Sequence, residues 1–104
     1  MIAMSKAQEI RAYLLEHSPE ALFIGNEEEH DSALIGIVRL KREDIWVEVP
    51  MYSYDELIAS FTEHFRDPEI EDPEHDPEQD AIEWVDYNVM GAYVGIYTPY
   101  VVYN

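Results

Sequence analysis

The densest chemistry in the chain is a run of side-chain carboxylates. Asp-Pro-Glu occurs three times, at 67–69, 72–74 and 76–78. Eight carboxylates fall in that stretch: Asp67, Glu69, Glu71, Asp72, Glu74, Asp76, Glu78 and Asp80. Glu83 and Asp86 follow, and no Lys or Arg occurs after Arg66. Charge of one sign without local compensation selects partners through its field, and this field selects cations or basic surfaces. Drawn out like polyproline, the 14 residues 67–80 would span about 43 Å, with one charge per roughly 5 Å. One DNA strand carries a phosphate every ~3.4 Å. The run alone is therefore too sparse to imitate nucleic acid, and it needs Glu83, Asp86 and the acidic patch 27–29 to complete the field. The plainer reading is a solvated, self-repelling loop, the usual fate of like-charge runs.

Other chemistries find less support. Asp72, Glu74, Asp76, Glu78 and Asp80 alternate as oxygen donors do in calcium loops, but no glycine supplies the sharp turn and the prolines stiffen the backbone. No metal or cofactor site is assigned. His17, His30, His64 and His75 show no ligand spacing, and each is expected in an exposed loop or helix end. The serines sit in no nucleophile elbow, the four glycines form no phosphate loop, and there is no cysteine. A metal-assisted hydrolase built on the carboxylates and His75 is the weakest of the functional readings. No catalytic residue is assigned and no enzyme is expected.

The elements that must position these groups read as a single α+β domain over 1–104, with the acidic insertion at 67–80. Ser5 caps an amphipathic helix carrying Ala7, Ile10, Tyr13, Leu14 and Leu15, stopped by His17-Ser18-Pro19. Ala21–Ile24 reads as a short strand ended by Gly25-Asn26, and 27–31 as an exposed acidic loop. Residues 33–40 and 45–49 form a hairpin around a charged turn at 41–44, with Gly36 at a bulge or a close approach. Ser53 and Glu56 open a helix with the stripe Leu57, Ile58, Phe61 and Phe65. The prolines exclude a helix through 67–75. Asp76 caps a third helix, with Pro77 at its first position, Gln79 completing a capping box and Gly91 as its C-cap. Residues 100–103 form the last strand. The order is α-β-β-β-α-α-β: about three helices on a three- to four-stranded, mostly antiparallel sheet. Tyr87, Tyr93, Tyr97, Tyr100, Tyr103 and Trp84 read first as core and turn residues, and second as a protein-binding surface.

The composition limits the partners. The 104 residues carry a formal charge of −17, with 47% hydrophobic residues, eight Tyr and two Trp. A core is available, and direct binding to nucleic acid or an anionic membrane is disfavoured because the cations are few. No long apolar run and no charged-then-apolar leader is expected to target the chain elsewhere, so a soluble, cytosolic protein is anticipated, with Met4 as an alternative start to Met1.

Two passages resemble a known pattern. One is SALIGIVRL (32–40) followed by V-x-x-Y-x-Y-D-x-L-I from Val49 to Ile58; the other is E-W-V-D-Y-N-V-M-G-A-Y-V-G-x-x-T-P from Glu83 to Pro99. Over about the last two-thirds of the chain they resemble small uncharacterised bacteriophage and prophage proteins. The resemblance implies phage or prophage origin and carries no assigned activity, and the Asp-Pro-Glu repeats stand where shorter relatives have a brief loop. The leading expectation is a non-enzymatic phage protein that occupies a basic, nucleic-acid-binding host protein in the bacterial cytoplasm, in its strongest form a DNA mimic inhibiting a CRISPR or restriction nuclease. Its contact residues are the ten carboxylates from Asp67 to Asp86. The alternative is a structural or assembly accessory whose tail motif packs a homo-oligomeric interface while the acidic loop solubilises it.

Overall fold

A computed structural model describes residues 4–25, 28–66 and 76–103. Ser5 begins helix α1 (Lys6–His17): its hydroxyl accepts from the Gln8 amide at 3.1 Å, and the Gln8 side chain accepts from the Ser5 amide at 2.8 Å. Ala7, Ile10 and Leu14 of α1 are buried, whereas Tyr13 and Leu15 of the predicted apolar stripe face outward. The helix stops at Ser18, whose amide closes onto the Leu14 carbonyl just before Pro19.

The strand anticipated at Ala21–Ile24 does not form. This segment's amides find partners outside any ladder: Ala21 donates to the Ser18 carbonyl, Leu22 to the Tyr97 carbonyl and Ile24 to the Tyr52 hydroxyl. Satisfied one by one, the segment is extended without a strand neighbour. It ends at Gly25, whose φ of +79° is open to glycine at little cost.

After a single 3₁₀ turn (Asp31–Ala33), strand β1 (Leu34–Arg42) and strand β2 (Ile45–Ser53) pair antiparallel, with the register slipping between Leu34 and Gly36 where a bulge was expected. The hairpin loop is only Glu43 and Asp44, at φ of +50° and +65°, the mirror-image turn that matches strand twist. Strand β3 (Tyr100–Val102) adds parallel to Met51–Ser53, giving the order β1-β2-β3. That pairing starts one residue after Pro50, a residue that lacks an amide to donate.

The parallel pairing follows from the connection, which carries helix α2 (Tyr54–Phe65) and helix α3 (Pro77–Val85) between β2 and β3. Ser53 caps α2 by accepting from the Glu56 amide at 3.3 Å. One core joins Ile10 and Leu14 of α1, Tyr52 of β2, Leu57 and Phe61 of α2, and Ala81 and Val85 of α3. The protein is thus an α+β domain of three helices and a three-stranded mixed sheet, with one strand fewer than the upper expectation. Among the described residues no helix is long and apolar enough to cross a membrane.

Candidate protein-docking face

The acidic candidates divide by location. Asp67, Glu69, Glu71, Asp72 and Glu74 lie outside the described residues. Asp76 is spent on structure: its carboxylate accepts from the amides of Glu78 and Gln79 at 3.1 and 3.2 Å and starts α3, with Pro77 at the first turn. The Gln79 side chain donates to Glu83 at 3.2 Å, not back to the cap. Glu78 turns toward α2, where it lines a groove of about 530 Å³ with Asp55, Glu63 and Ile82. Asp86 accepts the Tyr54 hydroxyl at 2.6 Å, and this bond raises the tyrosine pKa to about 12. Asp80 and Glu83 are exposed. The five described candidates therefore form no single row of charge.

Asp80 and Glu83 keep company with aromatics. With 3.6 residues per turn, positions 80, 83 and 84 share one side of α3, away from the buried Ala81 and Val85, and Tyr87 follows in the turn after the helix. Trp84 is 39% exposed and lies against Phe61, with ring centroids 4.6 Å apart. Tyr87 is 85% exposed. The helix does not end on Gly91 as a left-handed cap: it runs on through a π turn (Asp86–Met90), and Gly91 stays right-handed at φ −88°. The Asn88 side chain donates through Nδ2 to the Trp84 carbonyl at 3.1 Å, which ties the widened turn to α3. Gly95 has φ +112°, a conformation open to glycine at little cost.

Beyond the π turn lies an apolar groove of about 270 Å³, walled by Leu22, Phe23 and Ile24 on one side and by Trp84, Val89 and Val94 on the other. Its two walls are joined by the Leu22 amide bond to Tyr97. The Arg42 guanidinium steadies the same loop from the hairpin, donating to the carbonyls of Ile96 and Thr98 at 2.8 and 2.6 Å. The expectation that the C-terminal aromatics are core is corrected for Tyr87, Tyr93, Tyr100 and Tyr103, which are exposed.

His30 was expected to be exposed, and it is not. Only 3% of it is accessible, with its ring stacked on Phe61 at 3.9 Å and its Nδ1 2.7 Å from the Ser60 hydroxyl. Burial lowers its pKa, and the nearby His64 adds to that, while Glu29 and Asp31 pull the other way. Asp31 itself is fixed by Arg11, which reaches it through both Nε and Nη2 and lies over Phe23 at 4.3 Å. Sequence spacing gave no sign of either arrangement, because both join residues about 20 to 30 positions apart. Among the described residues no three His, Asp or Glu side chains gather as metal ligands would. Comparison with protein-family models, curated proteins and solved structures returns no match.

Proposed function

We propose that this chain is a non-enzymatic, acidic binding protein of phage or prophage origin that occupies a basic surface on a host protein in the bacterial cytoplasm. The observation that carries this reading is the outer side of α3, where Asp80 and Glu83 share a side with Trp84, the exposed Tyr87 follows in the next turn, and no Lys or Arg follows in sequence. Aromatic side chains left in water beside carboxylates suit a partner that brings Lys and Arg around an apolar patch. The formal charge of −17 would steer such a partner in quickly and make the association sensitive to salt. In the strongest form, the carboxylates of 67–86 stand in for DNA phosphates and block a defence nuclease or a DNA-binding regulator.

The test is capture from a bacterial lysate on the immobilised chain, followed by identification of the retained protein. Asp80→Lys with Glu83→Lys spares the Asp76 cap, so loss of capture in a folded variant reports the charge. Retained protein should be a nucleic-acid-binding one, released between about 50 and 200 mM salt and by competing duplex DNA. Capture indifferent to both salt and the double reversal would sink the reading. A second reading, an assembly accessory that self-associates, is favoured by the open apolar groove beside Trp84. Deleting 67–74 separates the two, since the accessory would keep its activity and the acidic binder would lose it.

A further inference from the structure

The end of α1 and the hairpin enclose a second cleft, of about 520 Å³, that shares no lining residue with the face on α3. Its walls are the rings of Tyr13, Trp46 and Tyr97, and its charges are Glu20, Glu48 and Arg39. Both tyrosines have a carboxylate beside them: Tyr13 donates to Glu48 at 2.7 Å, and the neighbouring Glu20 raises the Tyr97 pKa as Glu48 raises that of Tyr13. Each carboxylate has further acceptor positions beside the rings of Trp46 and Tyr97, while the Tyr13 ring is stacked on His17 at 4.3 Å. Trp46 is 59% exposed although it sits in a strand, so one large aromatic surface is left open at the cleft.

This combination recognises organic cations, which are attracted to aromatic faces and to carboxylates together. The protein already displays such a contact, because the Arg39 guanidinium lies over the Trp46 ring at 5.1 Å. Arg39 and Glu48 are cross-strand partners, yet the only ion pairs among the described residues are those of Arg11, His30 and Arg66. Glu48 is thus unpaired with Arg39, and the cleft carries two carboxylates against one cation. A cleft of this volume has room for one more side chain of arginine size.

We propose that the cleft between α1 and the hairpin binds a guanidinium group, seated on Trp46 and held by Glu20 and Glu48. The group can arrive as free arginine or as an arginine of a partner protein. Arg39 is then an internal competitor for the same ring and the same charges.

The indole N–H resonance of Trp46, assigned by its loss in Trp46→Phe, reads the site directly when arginine amide is titrated at constant ionic strength. The expected result is a saturable shift in the low millimolar range, absent with citrulline amide, which has the shape without the charge. Glu20→Gln with Glu48→Gln keeps an acceptor for each tyrosine hydroxyl but removes the charge, and binding should weaken about tenfold or more. Arg39→Gln should tighten it several-fold, whereas a merely structural arginine would loosen the cleft and weaken it. A shift that stays linear, an equal response to citrulline amide, or weaker binding in Arg39→Gln overturns the proposal. A peptide with one internal arginine separates the sources: binding as tight as arginine amide assigns a protein partner, and binding of the free amide alone assigns a small molecule. Lysate capture by the α3 face is read independently, so failure of one proposal leaves the other intact.

Discussion

Tyr52→Phe removes one oxygen from the centre of the protein. Tyr52 is 0% exposed, and its hydroxyl accepts the Ile24 amide at 3.1 Å. The ring would stay where it is, with no cavity to speak of. What changes is that the Ile24 amide, in a buried residue with no ladder to fall back on, loses its acceptor. An orphaned buried donor costs about 1–3 kcal/mol, less the small gain from burying phenylalanine in place of tyrosine. For a domain near this size each kcal/mol moves Tm by about 4–8 °C. Thermal melts and urea titrations of the two proteins should show that fall with an unchanged denaturant slope, since the surface exposed on unfolding is the same. Amide hydrogen exchange locates it: Ile24 should exchange faster by more than the global loss allows, while Leu22, held by Tyr97, should follow the global loss. A Tm shift below about 2 °C with Ile24 protection intact would refute the claim that this hydroxyl holds the 21–25 segment in place. Because that segment forms one wall of the apolar groove, the same variant should also broaden the Trp84 indole resonance.

Three further outcomes follow from the same geometry. His30 has its pKa lowered by burial, so the unfolded chain takes up a proton more readily than the native one; stability should be full above about pH 6.5 and decline as pH falls below it. An NMR titration placing the His30 pKa at or above that of a free histidine would contradict this. Replacing Glu43-Asp44 by Asn-Gly relieves two side chains held at positive φ and should stabilise by about 1–2 kcal/mol in a urea melt, with no gain meaning the turn is not of the mirror-image type. A double-mutant cycle on Arg11→Gln and Asp31→Asn should give a coupling of about 1–2 kcal/mol, above that of an exposed pair, because the contact is bidentate and partly buried. A coupling near zero would mean that α1 and the 3₁₀ turn are held by packing alone.

Local signals set most of the elements. Ser5, Ser53 and Asp76 announced three helix starts because an N-cap acts within three residues of itself, and Gly36 announced its bulge for the same local reason. The apolar periods of α2 and α3 gave the class, α+β, since a stripe that must be buried needs another layer to bury it. The surplus of negative charge was also plain in composition. Tertiary structure decided the rest. Whether Ala21–Ile24 becomes a strand depends on a neighbour with free carbonyls, and here the Ile24 amide met Tyr52 and the Leu22 amide met Tyr97. Whether His30 is wet or buried depends on Phe61 and Ser60, about thirty residues away. Which carboxylates are engaged locally depended on the helix start and on a distant hydroxyl, since Asp76 caps α3 and Asp86 accepts from Tyr54, although all of them stay exposed. A residue type states what bonds a side chain can make, but which partner arrives to make them is a matter of contacts distant in sequence.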